Sequence, residues 1–315
     1  MTAILTITLN PTVDLAVTTE AVQPERKLRC SHPLSDPGGG GLNVSRAIAA
    51  LGGNSTAFAA LGGPNGDQVM RLLAAAGIGV CAFPAPGETR LSLTATDQST
   101  GAQYRFVMPG PEWSARDVSR ALSRIARAAP EGGIVVLSGS QPPGVPPDFP
   151  AQLAARISRT QARLFLDTSG PPLHHLLSAT APPAGLLRMD ALEAEELAGR
   201  PLPERADSAD FAQDLVQRGV AEVVLVARGG EGNVLATREA RWFAQAARVP
   251  VVSKVGAGDS FVAAFTLALS RGKSLPEALQ DGAAAASAAV MSPATDLCRA
   301  SDMRRLRAQC PVSEV

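Results

Sequence analysis

Val255-Gly256-Ala257-Gly258-Asp259-Ser260-Phe261 stands near the C-terminal end of the chain and runs straight into an apolar helix-forming stretch, Phe261 to Leu269. The two glycines permit backbone conformations closed to other residues and close approach of a ligand. A helix opening here has N–H groups with no intrahelical partner. Those donors and the positive end of the helix dipole favour an anion. An aspartate in such a turn should repel phosphate. It makes sense there as a base: Asp259 can take a proton from a hydroxyl while the amides beside it stabilise charge growing on a transferred phosphoryl group. The plain alternative is a Gly-rich helix start capped by Asp259.

A second Gly-rich run, Pro37-Gly38-Gly39-Gly40-Gly41-Leu42-Asn43-Val44, leads into another helix. No Gly-Lys-Ser/Thr follows, so it is not a Walker loop, and its spacing is not that of a dinucleotide fold. Four glycines clear side chains from a surface where a polyol could lie. Asn43 then offers a donor and an acceptor to hydroxyls, and Asp14 can accept from two more. Lys27 and Arg29 lie two residues apart, which on a strand puts both on one face about 7 Å apart. Arg90 opens a second strand-like segment. Three cations there suit a substrate that already carries a phosphate. A solvated charged edge that discourages sheet aggregation is the alternative.

The elements needed to position these groups alternate along the chain. Strands are expected at Ile4 to Leu9, Ser55 to Leu61, Ile134 to Leu137, Arg163 to Asp167 and Val223 to Ala227. Helices are expected at Leu42 to Leu51, Val69 to Ala76, Phe149 to Ser158 and Ala209 to Arg218. This order implies an α/β fold of parallel β-α-β units, with helices covering both faces of the sheet. Ligands then sit beyond the carboxyl ends of the strands. Asn10, Ser138-Gly139-Ser140, Asp167 and Gly229-Gly230 fall there. Two segments break the alternation. Asp14 to Pro37 has little helical pattern, and Arg90 to Met108 reads as a hairpin turning at Asp97 to Gly101. Paired, they would make a small sheet projecting over the site.

Composition narrows the classes. The chain has 315 residues, with 29 Lys and Arg against 29 Asp and Glu and no basic cluster, which disfavours nucleic acid. Cys30, Cys81, Cys298 and Cys310 form no C-x-x-C pair, so zinc and redox sites are disfavoured. His174-His175 lacks evident ligand partners. Neither a signal segment nor a membrane-length apolar run is expected, and a reducing cytoplasm is the expected home.

Taken together, these stretches resemble the ribokinase-like carbohydrate kinases, the PfkB family, and within it the phosphofructokinase branch. The resemblance spans nearly the whole chain. It is carried by Thr8-Leu9-Asn10-Pro11, Lys27-Leu28-Arg29-Cys30, the Pro37 to Asn43 loop, Gly101 to Gly110, Ser138 to Val145 and Val255 to Ser260. It implies one domain over residues 1–315: a three-layer α/β/α sandwich with a β-sheet lid from about 14–37 and 90–108. It also implies transfer from MgATP to a sugar-phosphate hydroxyl. Asp259 would be the base, and the amides of Gly256, Ala257 and Gly258 the anion hole. Asp14, Gly39 and Asn43 would hold sugar hydroxyls. Lys27, Arg90 and Ser140 would hold the existing phosphate, with Arg29 reaching a site across a homodimer formed through the lid. ATP would lie over Ala227, Gly229, Gly230 and Gly232, its adenine near Ala286 and Ser292. Glu193 would carry the magnesium linkage. A monovalent-cation site is left open.

Three departures mark the nucleotide side. The family's Lys-Pro-Asn-x-x-Glu reads Arg188-Met189-Asp190-Ala191-Leu192-Glu193 here, Lys254 replaces a frequent threonine, and the ATP turn reads Ala227-Arg228-Gly229-Gly230. Lys254, Arg188 and Arg228 would add positive charge around the nucleotide, gripping phosphate more strongly or marking a changed donor. Asp190 would join Glu193 on magnesium, with Arg188 offsetting the charge. The expected reaction is fructose 6-phosphate to fructose 1,6-bisphosphate. Fructose 1-phosphate and tagatose 6-phosphate are the alternatives within the branch, and a catalytically weak sugar-phosphate-binding regulator is the alternative of another class.

Overall fold

The short apolar runs become the centre of one large sheet. The computed structural model describes residues 2–178, 181–293 and 296–315. In chain order the strands are β1 (Ile4–Thr8), β2 (Thr12–Thr19), β3 (Leu34–Gly38), β4 (Thr56–Leu61), β5 (Gly79–Pro84), β6 (Arg90–Asp97), β7 (Gln103–Val107), β8 (Ile134–Ser138), β9 (Arg163–Asp167), β10 (Leu186–Asp190), β11 (Val224–Ala227), β12 (Gly232–Ala236), β13 (Arg241–Gln245) and β14 (Val312–Glu314). The helices are α1 (Gly40–Ala50), α2 (Gly63–Ala75), α3 (Ala115–Ala128), α4 (Phe149–Ile157), α5 (Pro171–Leu176), α6 (Ala191–Ala198), α7 (Arg205–Gln217), α8 (Ala257–Ser270), α9 (Leu275–Ala289) and α10 (Ala300–Leu306).

Ten strands form the main sheet in the order β14-β13-β12-β11-β10-β9-β8-β1-β4-β5. The run from β11 to β5 is parallel, and β12 to β14 close it in antiparallel sense. Side-chain alternation divides the core in two. Val135 and Leu137 of β8 pack with α3, α4 and α7, whereas Ile134 and Val136 pack with α1, α8 and α9. Both faces are therefore covered, as the continuous apolar strands require. Each fully buried large side chain, such as Phe261 or Phe265, contributes about 1.5–3 kcal/mol through removal from water.

The chain leaves β1 toward β4 and β5, then returns to the other side of β1 at β8. That reversal opens a crevice at the carboxyl ends of β1 and β8. The two irregular segments do pair: β3-β2-β6-β7 form a separate four-stranded sheet in which β2 and β6 run parallel. The strand expectation for Lys27 and Arg29 is overturned. Residues 20–33 carry only a single bridge, Thr19 to Cys30, and bend through Glu25 at a positive φ of 60°. Lys27 and Arg29 are exposed on this irregular segment, so no strand periodicity sets their direction.

Candidate active site

Helix α8 begins at Gly256, which sits in the left-handed region with φ 74° and supplies no side-chain cap. Asp259 lies in the first turn, but its carboxylate does not cap the helix. Oδ2 instead accepts a hydrogen bond from Nδ2 of Asn43, at 3.0 Å, across the crevice. The capping alternative is therefore not the arrangement found. Burial pushes the Asp259 carboxyl up to about 6, and the negative charge of Asp167 adds to the rise. Hydrogen bonding from Asn43, the charge of Arg188 and Ser138 oppose it. A carboxyl poised there is a usable base near neutral pH.

Opposite α8, the end of the sheet holds a cation between two carboxylates. Arg188 on β10 donates from Nη1 to Oδ1 of Asp167 on β9 at 2.7 Å. The two residues are register neighbours on parallel strands. Oδ2 of Asp167 also accepts from Oγ of Ser138, at 3.1 Å. A Cβ added at Gly258 would stand 3.0 Å from Nη2 of Arg188, so the guanidinium lies over the start of α8. It holds its proton more firmly than usual because the charges of Asp167, Asp259 and Glu193 outweigh its burial. Positive charge and free helix N–H groups thus converge on one point beside Asp259.

The residues expected to hold the acceptor lie around α1. Its glycines line a polyol surface less than the sequence suggested. A Cβ at Gly38 would overlap the Asp14 carboxylate, one at Gly40 would overlap Ser138, and one at Gly41 would overlap the Ile7 carbonyl. These residues let α1 and β3 pack directly on β1, β2 and β8. Gly39 alone of the four has a positive φ, 116°. Asp14 on β2 is raised by burial, against the lowering charges of Arg90, Arg105 and Arg46. Arg90 is half-buried. It donates from Nε and Nη2 to the Asn10 carbonyl at 3.3 and 3.1 Å, and from Nη1 to the Met108 carbonyl at 3.2 Å. The Asn10 side chain donates to Oγ of Ser140 at 3.2 Å, so one residue anchors both Arg90 and Ser140. Arg46, Arg105 and Asp36 were not singled out from sequence. Arg46 sits three residues after Asn43, a spacing that places both on one helix face.

On the nucleotide side, Ala227 ends β11 and Gly229–Glu231 make a single 3₁₀ turn into β12. No heavy atom lies within 4 Å of a Cβ placed at Gly229 or Gly230. Gly232, with φ 138°, packs so close to the Ala244 carbonyl that no side chain fits. Arg228 does not add free positive charge here, contrary to the sequence expectation. Its side chain is only 6% exposed and binds the carbonyls of Leu202, Pro203 and Glu204, the Ser208 hydroxyl and Glu231. Lys254 is exposed. Ala286 is half-buried on α9 and Ser292 buried just beyond it, where Val252 and Ser253 donate to the Val290 carbonyl.

Asp190 and Glu193 form a reciprocal cap at the start of α6. Oδ1 of Asp190 accepts from the Glu193 amide at 2.9 Å, and Oε2 of Glu193 accepts from the Asp190 amide at 2.8 Å. One oxygen of each carboxylate is engaged. Burial raises the Glu193 carboxyl, with Asp190 and Asp167 adding to it against its backbone hydrogen bond and Arg188. Among the described residues no cluster of three or more His, Cys, Asp or Glu is placed to hold a metal. Two carboxylates suit magnesium that keeps its waters and shares phosphate oxygens. His174 pairs with Glu196 at 3.1 Å on the surface. Among the described residues no helix is long and apolar enough to cross a membrane.

A buried carboxyl raised toward neutrality, a helix N-terminus and an arginine converging beyond the carboxyl ends of a parallel sheet suit the movement of a phosphoryl group onto a hydroxyl. The pattern described as pfkB family carbohydrate kinase matches residues 4–302, and the chain belongs to that family. It is 40% identical over 302 residues to ATP-dependent 6-phosphofructokinase isozyme 2 of Mycobacterium tuberculosis, covering 96% of this chain and 88% of the relative. Two crystal structures of phosphofructokinase-2 from Escherichia coli, one with potassium and one with fructose 6-phosphate, match with TM-scores of 0.92 and 0.89. Each is 36% identical, over 98% of this chain and 99% of that chain.

Proposed function

We propose that the chain is a single-domain ATP-dependent 6-phosphofructokinase that converts fructose 6-phosphate to fructose 1,6-bisphosphate. The observation that carries this is Asp259, raised toward neutrality and held by Asn43 beside the N-terminus of α8. Asp259 takes the proton of the acceptor hydroxyl as its oxygen attacks the γ-phosphorus. The bond from that phosphorus to the bridging oxygen breaks and ADP leaves. The amides of Gly256, Ala257 and Gly258, with Arg188 above them, stabilise the charge on the transferred group.

Asp14, Gly39 and Asn43 orient the sugar. Arg90, Ser140 and Lys27 hold its phosphate, and Arg105 adds to the positive field over Asp14. Support for a phosphorylated acceptor comes from Arg90 and Arg105, whose charges both act on Asp14, and from the relatives' names. ATP lies against Ala227, Gly229, Gly230 and Gly232, with its base near Ala286 and Ser292. Asp190 and Glu193 would hold magnesium through water, which would supply positive charge for the phosphates. A monovalent cation on the same side is consistent with the potassium complex of the Escherichia coli protein.

The lid exposes Leu34, Tyr104, Phe106, Val107 and Met108, an apolar surface suited to a second copy, so the enzyme is a homodimer joined there with Arg29 at the contact. Four unpaired cysteines fit a reducing cytoplasm. A coupled kinase assay over fructose 6-phosphate, fructose 1-phosphate and tagatose 6-phosphate, with ATP and GTP, tests the reading. It predicts the highest kcat/KM for fructose 6-phosphate with ATP. Binding of phosphosugar without turnover of any of them would leave a regulator instead.

A further inference from the structure

Asn43 stands between a group that can only donate and a group that can only accept. Nη1 of Arg46 donates to its Oδ1 at 3.2 Å, and its Nδ2 donates to Oδ2 of Asp259 at 3.0 Å. A guanidinium has no acceptor and a carboxylate no donor. With Arg46 in place, turning the amide over would set Nδ2 against the guanidinium and Oδ1 against the carboxylate. Arg46 is itself held from the other sheet. Its Nη2 pairs with Oδ1 of Asp36 at 2.8 Å, and Nη1 also donates to the Pro37 carbonyl at 3.3 Å. Asp36 and Pro37 belong to β3, the lid strand that pairs with the Asp14 strand, and Asp36 is the register partner of Asp14.

We propose that Arg46 is a positioning residue: it fixes Asn43 in the orientation that donates to the base, and its pairing with Asp36 ties that orientation to the position of the lid. The proposal rests on Asp259 being the base. It extends that reading by giving the lid a route to the reacting centre that passes through no ligand. Three hydrogen-bonded links form the route, from Asp36 through Arg46 and Asn43 to Asp259. Ordering of β3 by a bound sugar would steady the donor that the base needs.

The groups facing Asp259 are Asn43 from α1, Ser138 from β8, Asp167 from β9 and Arg188 from β10. The groups facing Arg46 include Asp36 and, at longer range, Asp14. Removing Arg46 leaves Asp167 and Arg188 in place; beside Asp259 it frees the Asn43 amide, and on the lid it frees Asp36 and the Pro37 carbonyl. The Asn43 donor favours the charged form of Asp259, so its loss moves the titration of Asp259 upward.

The test uses R46A, R46K, D36N, N43A and the N43A/R46A pair in the full chain. Steady-state kinetics are read across pH, and the Asp259 carboxyl is titrated by 13C NMR, assigned by its absence in D259N. R46A should lose kcat about tenfold or more, the scale of a hydrogen bond to a charge. Its acid limb and its Asp259 titration should both move to higher pH. R46K should recover part of the loss, and D36N should shift in the same direction by less. N43A/R46A should be no slower than N43A, because Arg46 acts through Asn43. Additive losses in the pair, or an unchanged Asp259 titration in folded R46A, overturn the proposal. If R46A does not fold, R46K and D36N carry the same two outcomes. A native chain that turns over no phosphosugar, with Asp259 still shifting in these variants, would refute the kinase reading and leave the positioning role standing.

Discussion

Replacing Asp259 with Asn should damage turnover and improve stability at the same time. The side chain keeps its shape, and Asn43 can still donate to its oxygen. Loss of the base lowers kcat by about 10²–10⁴-fold. The stability effect follows from the environment of the carboxyl. Burial and Asp167 raise Asp259 from 3.8 to about 6, so the folded state disfavours its charged form. A raised carboxyl costs nothing below its unfolded value, because it is protonated in both states. The cost grows as pH climbs from about 4 to about 6 and is complete above that. At about 1.4 kcal/mol per tenfold, the rise amounts to at most about 3 kcal/mol. D259N never carries the charge, so above pH 7 it should melt about 3–6 °C higher than the native chain. The gain should fade to nothing near pH 4. Paired thermal melts from pH 3.5 to 8, beside steady-state kinetics, measure both effects. Near-native kcat in D259N refutes the base. A melting gain that persists at pH 3.5, or is missing at pH 8, refutes the electrostatic account of the site.

Three further outcomes follow from neighbouring residues. G38A drives a methyl into the Asp14 carboxylate, so the KM for phosphosugar should rise about tenfold or more while that for ATP holds; equal effects on both substrates would place Asp14 outside the sugar site. R90A and, separately, K27A should each raise the phosphosugar KM more than tenfold, the scale of a charge-assisted contact, and an unaffected K27A would leave its exposed segment outside the phosphate site. E193Q should weaken the response to magnesium at fixed MgATP and lower kcat, while D190N stays active. Both substitutes can still make the α6 cap, so melting temperature should hardly move, and a magnesium response unchanged in both would leave the pair with a capping role alone.

The parallel centre of the fold was readable because β1 and β8 are short, mostly apolar runs, and every residue of both is buried. Boundaries slipped where glycine or proline begins a helix. Helix α2 starts at Gly63 with Pro64 in its first turn, six residues before the apolar periodicity begins at Val69. Helix α3 was overlooked although Ser114 and Asp117 form its capping box and Val118, Ala121, Leu122 and Ile125 mark its buried face. Among the candidate site residues, Asp259 and Asn43 stand out in the sequence because glycines flank them, whereas Asp14 has no glycine nearby in the chain and meets Gly38 only through the pairing of β2 with β3. Asp167 was visible at a strand end, but its pairing with Arg188 depends on which strands are neighbours, and local sequence does not carry that. Lys27 and Arg29 were placed on a strand by spacing alone. Nothing pairs along that segment beyond the Thr19 bridge, so the two-residue period had no sheet to act on. Arg228 carried the opposite lesson. Its charge suits phosphate on paper, yet the carbonyls of Leu202, Pro203 and Glu204 claim it.

In the proposed reaction Asp259 directs the γ-phosphoryl group of ATP onto a hydroxyl of an already phosphorylated sugar. A 31P NMR time course of fructose 6-phosphate with MgATP tests it most directly. A new sugar phosphate at carbon 1 and ADP should appear one for one, both nearly abolished in D259N, with unphosphorylated fructose a poor acceptor. ADP formed without a second sugar phosphate, or fructose phosphorylated as readily as fructose 6-phosphate, would contradict it.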